Sequence, residues 1–338
     1  MKGAKSPFRV QSSSFLNLKS QNICFGGCSS DLAGGRFISG LGQRVGCVAE
    51  NRLVAVVINR VQQELHIGFH SGKQVGLSRC QSSLRLGFGL GGPARLAAKA
   101  ALRTGSGLVY LGVPEKIYPI VAAAAGSEIV FPLPCDGKGR LSLAALEPIG
   151  ARMEAMDAVL LGPGLGRSEE LTALCASLVR RCRVPLVLDA DGINALEGHI
   201  DTLSRRPCAT VLTPHDGELA RIGGDMTAPR ESSAAAFAAA HGVYLVRKGH
   251  RTLVAAPDGR LAVNTTGNDG MAKGGSGDIL TGLLTGLLAQ GMEPFAACCA
   301  AVWLHGRAGD LAAEEKGRRG MTPLDIIEML PYALKEVE

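Results

Sequence analysis

From Gly92 onward the apolar positions alternate between two periods. Arg95 to Arg103, RLAAKAALR, spaces them for a helix and is built from strong helix formers, and Gly107 to Val113 then runs apolar to Pro114 as a buried strand does. The alternation recurs. Glu128 to Phe131, Ala158 to Leu161, Pro185 to Leu188, Thr210 to Leu212, Val243 to Val246 and Thr252 to Ala256 read as short strands, while Glu169 to Arg181, Glu218 to Ile222 and Ser232 to Ala240 carry helical spacing. Pro257-Asp258-Gly259 is a turn joining Leu253-Val254-Ala255 to Leu261-Ala262-Val263, which predicts a hairpin near the sheet edge. Strands alternating with helices predict an α/β fold, a largely parallel sheet covered on both faces. Ligands in such sheets bind beyond the carboxyl ends of the strands, so the loops that follow strands are where chemistry is expected.

One such stretch stands out, Asn264 to Gly291, NTTGNDGMAKGGSGDILTGLLTGLLAQG. A polar loop through Gly274, Gly275, Ser276 and Gly277 reaches Asp278 and changes at once into the apolar run Ile279, Leu280, Leu283, Leu284, Leu287 and Leu288, which marks a helix start. The glycines leave backbone N–H groups uncovered at the positive end of that helix, the makings of an anion site. A carboxylate beside an anion site repels a phosphate unless it removes a proton from a hydroxyl about to attack that phosphate. The plain alternative is that Asp278 caps the helix.

Four further loops carry candidates. Gly162-Pro163-Gly164-Leu165-Gly166 holds three glycines where a turn needs one or two, which favours close approach of the backbone to a ligand. Asp189-Ala190-Asp191-Gly192-Ile193-Asn194 places two acids after a buried strand; Asp189 and Asp191 either assist Mg2+ through water or cap the next turn. In Thr213-Pro214-His215-Asp216-Gly217-Glu218, His215 is either a helix-entry residue or a ligand contact. Lys248-Gly249-His250-Arg251-Thr252 places an ammonium after a strand, either at the surface or near a phosphate.

Composition alters this picture mainly at the amino terminus. The 338 residues carry a net charge of +6, but residues 1 to 85 hold eleven Lys or Arg against three acids, and the remainder is close to neutral. A basic face for nucleic acid is therefore not expected of the body of the chain. No apolar run approaches the length of a membrane span. The ten cysteines lack a repeating metal-ligand spacing; Cys24 and Cys28 form a lone C-x3-C, and Cys298-Cys299 lies in an apolar helical run, so reduced, mostly buried thiols are expected. The first 85 residues are rich in Ser, Gly, Arg and Lys, and only Leu53 to Ile58, LVAVVI, resembles a buried strand. An organelle transit peptide, a basic interaction arm, and sequence outside the fold, such as a misread start, are the competing readings.

The Gly-Asp loop resembles the signature of the ribokinase-like superfamily, and the fuller pattern TGN-x-GMA-x-GG-x-GD-x-LTG is similar to that of the ADP- or ATP-dependent NAD(P)H-hydrate dehydratases. The GPGLG, DADxxN, TPHxGE and KGxxT loops extend the likeness. The resemblance implies a three-layer α/β/α sandwich spanning residues 86–338, with 1–85 as an atypical segment outside the fold. It implies Asp278 as catalytic base and substrate contacts from Pro93, Gly164, Gly166, His215 and Asp278. The adenine nucleotide is expected on Lys248, Gly249, His250, Arg251, Thr252, Gly274, Gly275, Ser276 and Gly277, with Mg2+ bridging its phosphates. The implied reaction converts hydrated NADH or NADPH, in its S epimer, back to the reduced cofactor, using ADP, or ATP in its place, and releasing AMP and phosphate. A cytoplasmic homo-oligomer, with tetramers common among relatives, acting on small molecules and not on nucleic acid or membranes, completes the expectation.

Two departures stand against this. Family members open with an apolar strand ending in G-G-S, whereas Gln81 to Gly91, QSSLRLGFGLG, holds that place here, so the first strand is expected to be missing or replaced. Pro93 stands where the family has Ala; Pro suits a helix's first turn but lacks an N–H. A small-molecule kinase acting on a vitamin precursor alcohol and a catalytically inactive nucleotide-binding relative are the alternatives.

Overall fold

Short aliphatic runs buried on both sides belong to a sheet covered on both faces. The structure, a computed structural model, describes residues 8–10, 52–56 and 92–337. Its strands, β1 (Phe8–Val10), β2 (Arg52–Val56), β3 (Leu108–Pro114), β4 (Ile129–Leu133), β5 (Ala158–Leu161), β6 (Leu186–Leu188), β7 (Thr210–Leu212), β8 (Tyr244–Arg247), β9 (Leu253–Ala255) and β10 (Leu261–Asn264), form one sheet in the order β1-β10-β9-β8-β7-β6-β5-β2-β3-β4. From β4 through β8 all neighbours are parallel, and β9, β10 and β1 add an antiparallel edge. The expected hairpin is β9–β10, closed at Gly259, whose N–H donates to the Ala256 carbonyl at 3.1 Å.

The helices are α1 (Gly92–Arg103), α2 (Tyr118–Ala123), α3 (Leu146–Met153), α4 (Glu169–Arg181), the single turn α5 (Asp191–Asn194), α6 (Asp216–Arg221), α7 (Arg230–His241), α8 (Ser276–Ala289), α9 (Pro294–Lys316) and α10 (Pro323–Lys335). Alternation along the strands sorts them into two layers. Ala158, Leu160, Val187 and Val211 face a core shared with α1, α8, α9 and α10, while Val159, Leu161, Leu186 and Leu188 face one shared with α3, α4 and α7. The expected three-layer α/β/α architecture is therefore present.

The sheet centre is filled by a strand of the amino-terminal segment. β2 runs parallel between β5 and β3, with Leu53 opposite both Ala158 and Val109, in the central position where the first strand was expected to be missing or replaced. β1 pairs antiparallel with β10. The amino-terminal segment, which the resemblance set outside the fold, thus gives the sheet two strands, and the run Leu53 to Ile58 that resembles a buried strand supplies β2. Cys24, Cys28 and the segment Gln81 to Gly91 lie outside the described residues. Burial pushes the Cys175 thiol up to about 12 and raises that of Cys298, in keeping with unreactive structural thiols.

Helix α8 lies against α1 with almost no side chain between them. A Cβ on Gly282 would stand 2.0 Å from the Ala97 carbonyl oxygen, and one on Gly286 would stand 2.1 Å from Thr104 Oγ1. The alanines of α1 and the glycines of α8 therefore set how close the backbones come. Because α8 begins at the Gly-Asp loop, this contact also fixes the height of that loop above the sheet.

Candidate active site

The sequence pattern places Asp278 next to a helix start, and the structure makes it the third residue of α8. Gly275 is the cap, at φ 102°, a conformation that a side chain would strain. A Cβ there would also stand 2.7 Å from Leu96 of α1. Asp278 is therefore not the helix cap, and among the described residues its carboxylate accepts no hydrogen bond. Ser276 ties the loop down: its hydroxyl donates to the Met271 carbonyl at 2.7 Å and its N–H to the Lys273 carbonyl at 3.2 Å. The N–H groups of Gly275, Gly277 and Asp278 have no partner among the described residues, which leaves them for an anion.

Lys248, at the end of β8, reaches into this loop. A Cβ on Gly277 would lie 3.5 Å from its ammonium. That ammonium donates to Asp189 Oδ1 at 2.7 Å and stands 3.7 Å from Glu218 Oε2, and Thr213 donates to the same Asp189 oxygen at 2.7 Å. Asp189 is 1% exposed. Burial works to lower the Lys248 pKa, yet the carboxylates of Asp189, Glu218 and Asp278 together hold it above its ordinary value. Burial, reinforced by the Asp189 charge and opposed by Lys248, pushes Asp278 up to about 7. A carboxylate titrating near neutrality beside unpaired N–H donors is equipped to exchange a proton with a phosphoryl acceptor.

His215 caps α6 through a reciprocal box. Its Nδ1 accepts from the Glu218 N–H at 3.1 Å, and Glu218 Oε2 accepts from the His215 N–H at 2.9 Å. Asp216 accepts from Arg247 Nε at 2.7 Å, so that α6 and the end of β8 are fastened together. Asp189 and Asp191 fit a metal poorly as direct ligands. Lys248 and Thr213 occupy one Asp189 oxygen, and Asp191 accepts from the Gly166 N–H at 2.8 Å and from Arg167 and Asn194 at 3.3 and 3.2 Å. Asp191 instead shapes the glycine loop. At Gly162, φ 132°, a Cβ would stand 1.8 Å from the Asp189 carbonyl oxygen, so the loops after β5 and β6 touch backbone to backbone. Among the described residues no three acidic, His or Cys side chains form a metal cage.

The remaining candidates lie around this centre. Pro93 is in the first turn of α1, whose Leu96 abuts Gly275. Gly164 and Gly166 belong to the loop that Asp191 holds. Gly249 to Thr252 form a turn anchored on α7, with the His250 carbonyl accepting from Arg230 at 3.1 Å and Thr252 Oγ1 donating to Gly249 at 3.0 Å. Arg251 takes φ 56° there. Gly274 faces open space. The structure thus gathers Gly275 to Asp278, Lys248, Asp189, Glu218 and His215 into one cluster, and sets Gly249 to Thr252 beyond it.

Other contributors escaped the sequence reading. The Thr266–Met271 strap sits directly on α9: the Gly267 N–H donates to Asp310 at 2.9 Å, Asn268 donates to Asp310 and Gly309 at 3.0 Å, and Cβ atoms on Gly306 and Gly309 would strike Thr266 and Met271. The spacing Gly306, Gly309, Asp310 was the available signal. His305 of α9 has a buried Nε2 without a partner among the described residues, and burial lowers its pKa to about 4.

The family model described as NAD(P)H-hydrate dehydratase matches residues 87–332. The chain belongs to that family. The bifunctional NAD(P)H-hydrate repair enzyme of Moorella thermoacetica is 42% identical over 74% of this chain and 48% of its own length. The ADP-dependent (S)-NAD(P)H-hydrate dehydratase of Neisseria meningitidis serogroup B is 37% identical over 68% of this chain and 75% of its own. The chain therefore spans about half the length of the bifunctional relative. The solved ADP/ATP-dependent NAD(P)H-hydrate dehydratase from Bacillus subtilis, co-crystallised with ATP and Mg2+, superposes with a TM-score of 0.64 at 25% identity, over 85% of this chain and 90% of that one. A ribokinase-like superfamily protein from Enterococcus faecalis shares the fold, with a TM-score of 0.67 at 23% identity over 87% and 91% of the two chains. Among the described residues, no helix of this family member is long and apolar enough to cross a membrane.

Proposed function

We propose that this chain dehydrates the S epimer of hydrated NADH or NADPH to the reduced cofactor, driven by ADP, with AMP and phosphate as products. The observation that carries the reading is Asp278, titrating near 7 beside free N–H groups at the start of α8. Hydroxide is a poor leaving group and phosphate a good one. Asp278 takes the hydroxyl proton while the phosphoryl group is held by the Gly275, Gly277 and Asp278 N–H groups and faced by the Lys248 ammonium, all of which oppose its developing negative charge. The ring nitrogen then expels phosphate. Gly164, Gly166, His215 and Pro93 border the dinucleotide, and Lys248 through Thr252 with Gly274 through Gly277 border the nucleotide.

The choice of ADP follows the ADP-dependent relative from Neisseria meningitidis, and ATP is the other donor to test. Mg2+ would enter with the nucleotide's phosphates, which it would shield, since Asp189 and Asp191 are already committed to other partners. Residues 86–338, completed by β2, form the catalytic unit in this reading. A homo-oligomer, for which the family resemblance suggests a tetramer, working in the cytoplasm on small molecules completes it.

Product stoichiometry tests the reaction. AMP and inorganic phosphate should form one for one with NADH when hydrated NADH and ADP are supplied. A phosphorylated vitamin precursor alcohol formed in its place would establish the kinase alternative, and nucleotide binding without any product would establish an inactive relative.

A further inference from the structure

Dehydration of a hydrated dihydropyridine removes two protons. One leaves the hydroxyl; the other leaves the methylene next to the carbinol carbon, because the ring double bond re-forms between those two carbons. His215 is the side chain at the site that chemists would nominate for the second, since histidine is the commonest general base. The capping box of α6 stands in the way. Nδ1 uses its lone pair on the Glu218 N–H, so in the neutral ring Nε2 carries the hydrogen, 3.4 Å from Glu218 Oε1. Freeing a lone pair would break the reciprocal cap of α6. His215 therefore has a hydrogen to donate and no lone pair to spare.

The other groups are committed as well. Glu218 Oε2 accepts from the His215 backbone and faces Lys248; Asp189 Oδ1 accepts from Thr213 and Lys248 and is buried; Lys248 is an ammonium held by both. Asp278 alone among these carboxylates accepts no hydrogen bond from the described residues. Resting on the dehydratase reading, we propose that Asp278 is the single proton acceptor for both halves of the reaction and that His215 is a fixed hydrogen-bond donor to the dinucleotide.

The steps balance. The Asp278 carboxylate takes the hydroxyl proton as the hydroxyl oxygen bonds to the phosphorus of the nucleotide's terminal phosphoryl group and AMP leaves. The nitrogen lone pair then forms a double bond to the carbinol carbon, whose bond to oxygen breaks with its electron pair on oxygen, and Asp278 returns its proton to that oxygen to give hydrogen phosphate. The regenerated carboxylate removes the methylene proton; that C–H pair becomes the ring double bond, and the iminium pair returns to nitrogen. Loss of the proton from Asp278 to solvent closes the cycle. A group that titrates near 7 can hold and release a proton in both directions.

His215→Asn and His215→Gln separate the two roles, because Asn keeps a good helix cap and both amides keep a donor. With hydrated NADH and ADP or ATP, kcat should fall by less than about 100-fold, KM should rise, and the acid limb of kcat against pH should stay where it is in the wild type. A loss of about 10²–10⁴-fold in kcat in both variants, folded as judged by circular dichroism, is the size of removing a general base. That loss, or disappearance of the acid limb, would overturn the assignment in favour of His215. A wild-type chain without turnover would overturn the dehydratase reading itself, and the assignment with it.

Discussion

The Lys248 ammonium lies 2.7 Å from the carboxylate of Asp189, a side chain drawn from a strand end 59 residues earlier and 1% exposed. The pair sits beneath the anion loop, where Lys248 also lowers the Asp278 pKa that burial raises. Lys248→Met should therefore act twice. Leaving the Asp189 charge buried without its partner should cost about 3–5 kcal/mol, read as a lowered denaturation midpoint. In the surviving folded protein the acid limb of kcat should move to higher pH than in the wild type, because Lys248 lowers the Asp278 pKa. An unmoved limb would mean that Lys248 does not act on Asp278.

Asp278 itself carries a cost that can be measured. Its folded pKa stands above the unfolded carboxylate value of about 3.9, so the native state binds the extra proton and its stability declines as pH rises from there toward 7. Asp278→Asn removes the buried charge. It should abolish turnover, leave nucleotide binding intact as followed by the fluorescence of Trp303, the chain's single tryptophan, and raise the melting temperature more above pH 7 than in acid. Equal shifts at both pH values would contradict a buried, charged Asp278.

The contact between Arg247 and Asp216 fastens α6 to the end of β8. Arg247 is almost fully buried and Asp216 more than half exposed. Asp216→Ala should cost about 1–3 kcal/mol, and a double-mutant cycle with Arg247→Met should show coupling between them. Additive effects would make the contact incidental.

Much of this architecture is legible in the chain. Ala158 to Leu161 and Glu169 to Arg181 match β5 and α4 residue for residue, because an unbroken aliphatic run and a capped amphipathic repeat each allow one structure. The candidate loops follow strands as expected. The charge network is different in kind, since nothing local to Lys248 shows that Asp189 will stand beneath it. Periodicity also gave no warning of α3, whose Pro148 and Gly150 interrupt the helical pattern, nor did it place Arg52–Val56 in the sheet. A strand's position is set by its pairing partners, which lie far away in sequence.

Helix α8 should tolerate no side chain where it meets α1. Gly282→Ala would bring a methyl group to 2.0 Å from the Ala97 carbonyl oxygen. The expected loss is at least about 1–3 kcal/mol, with a raised KM for nucleotide as α8 and its loop lift together. A neutral effect on both stability and KM would refute that coupling.

The position of β2 bears on the amino terminus. A chain starting at residue 86 lacks the strand between β5 and β3 and exposes two unpaired edges. It should be insoluble, whereas a chain starting near residue 48 should fold. Soluble, active protein from residue 86 would show β2 to be dispensable.

The most direct measurement is the return of NADH absorbance from hydrated NADH, with ADP and ATP supplied separately and with neither. The reading requires recovery that depends on a nucleotide, proceeds faster with ADP, and disappears in Asp278→Asn. Folded, nucleotide-binding protein that restores no absorbance with either donor, or an Asp278→Asn variant as active as the wild type, would contradict it.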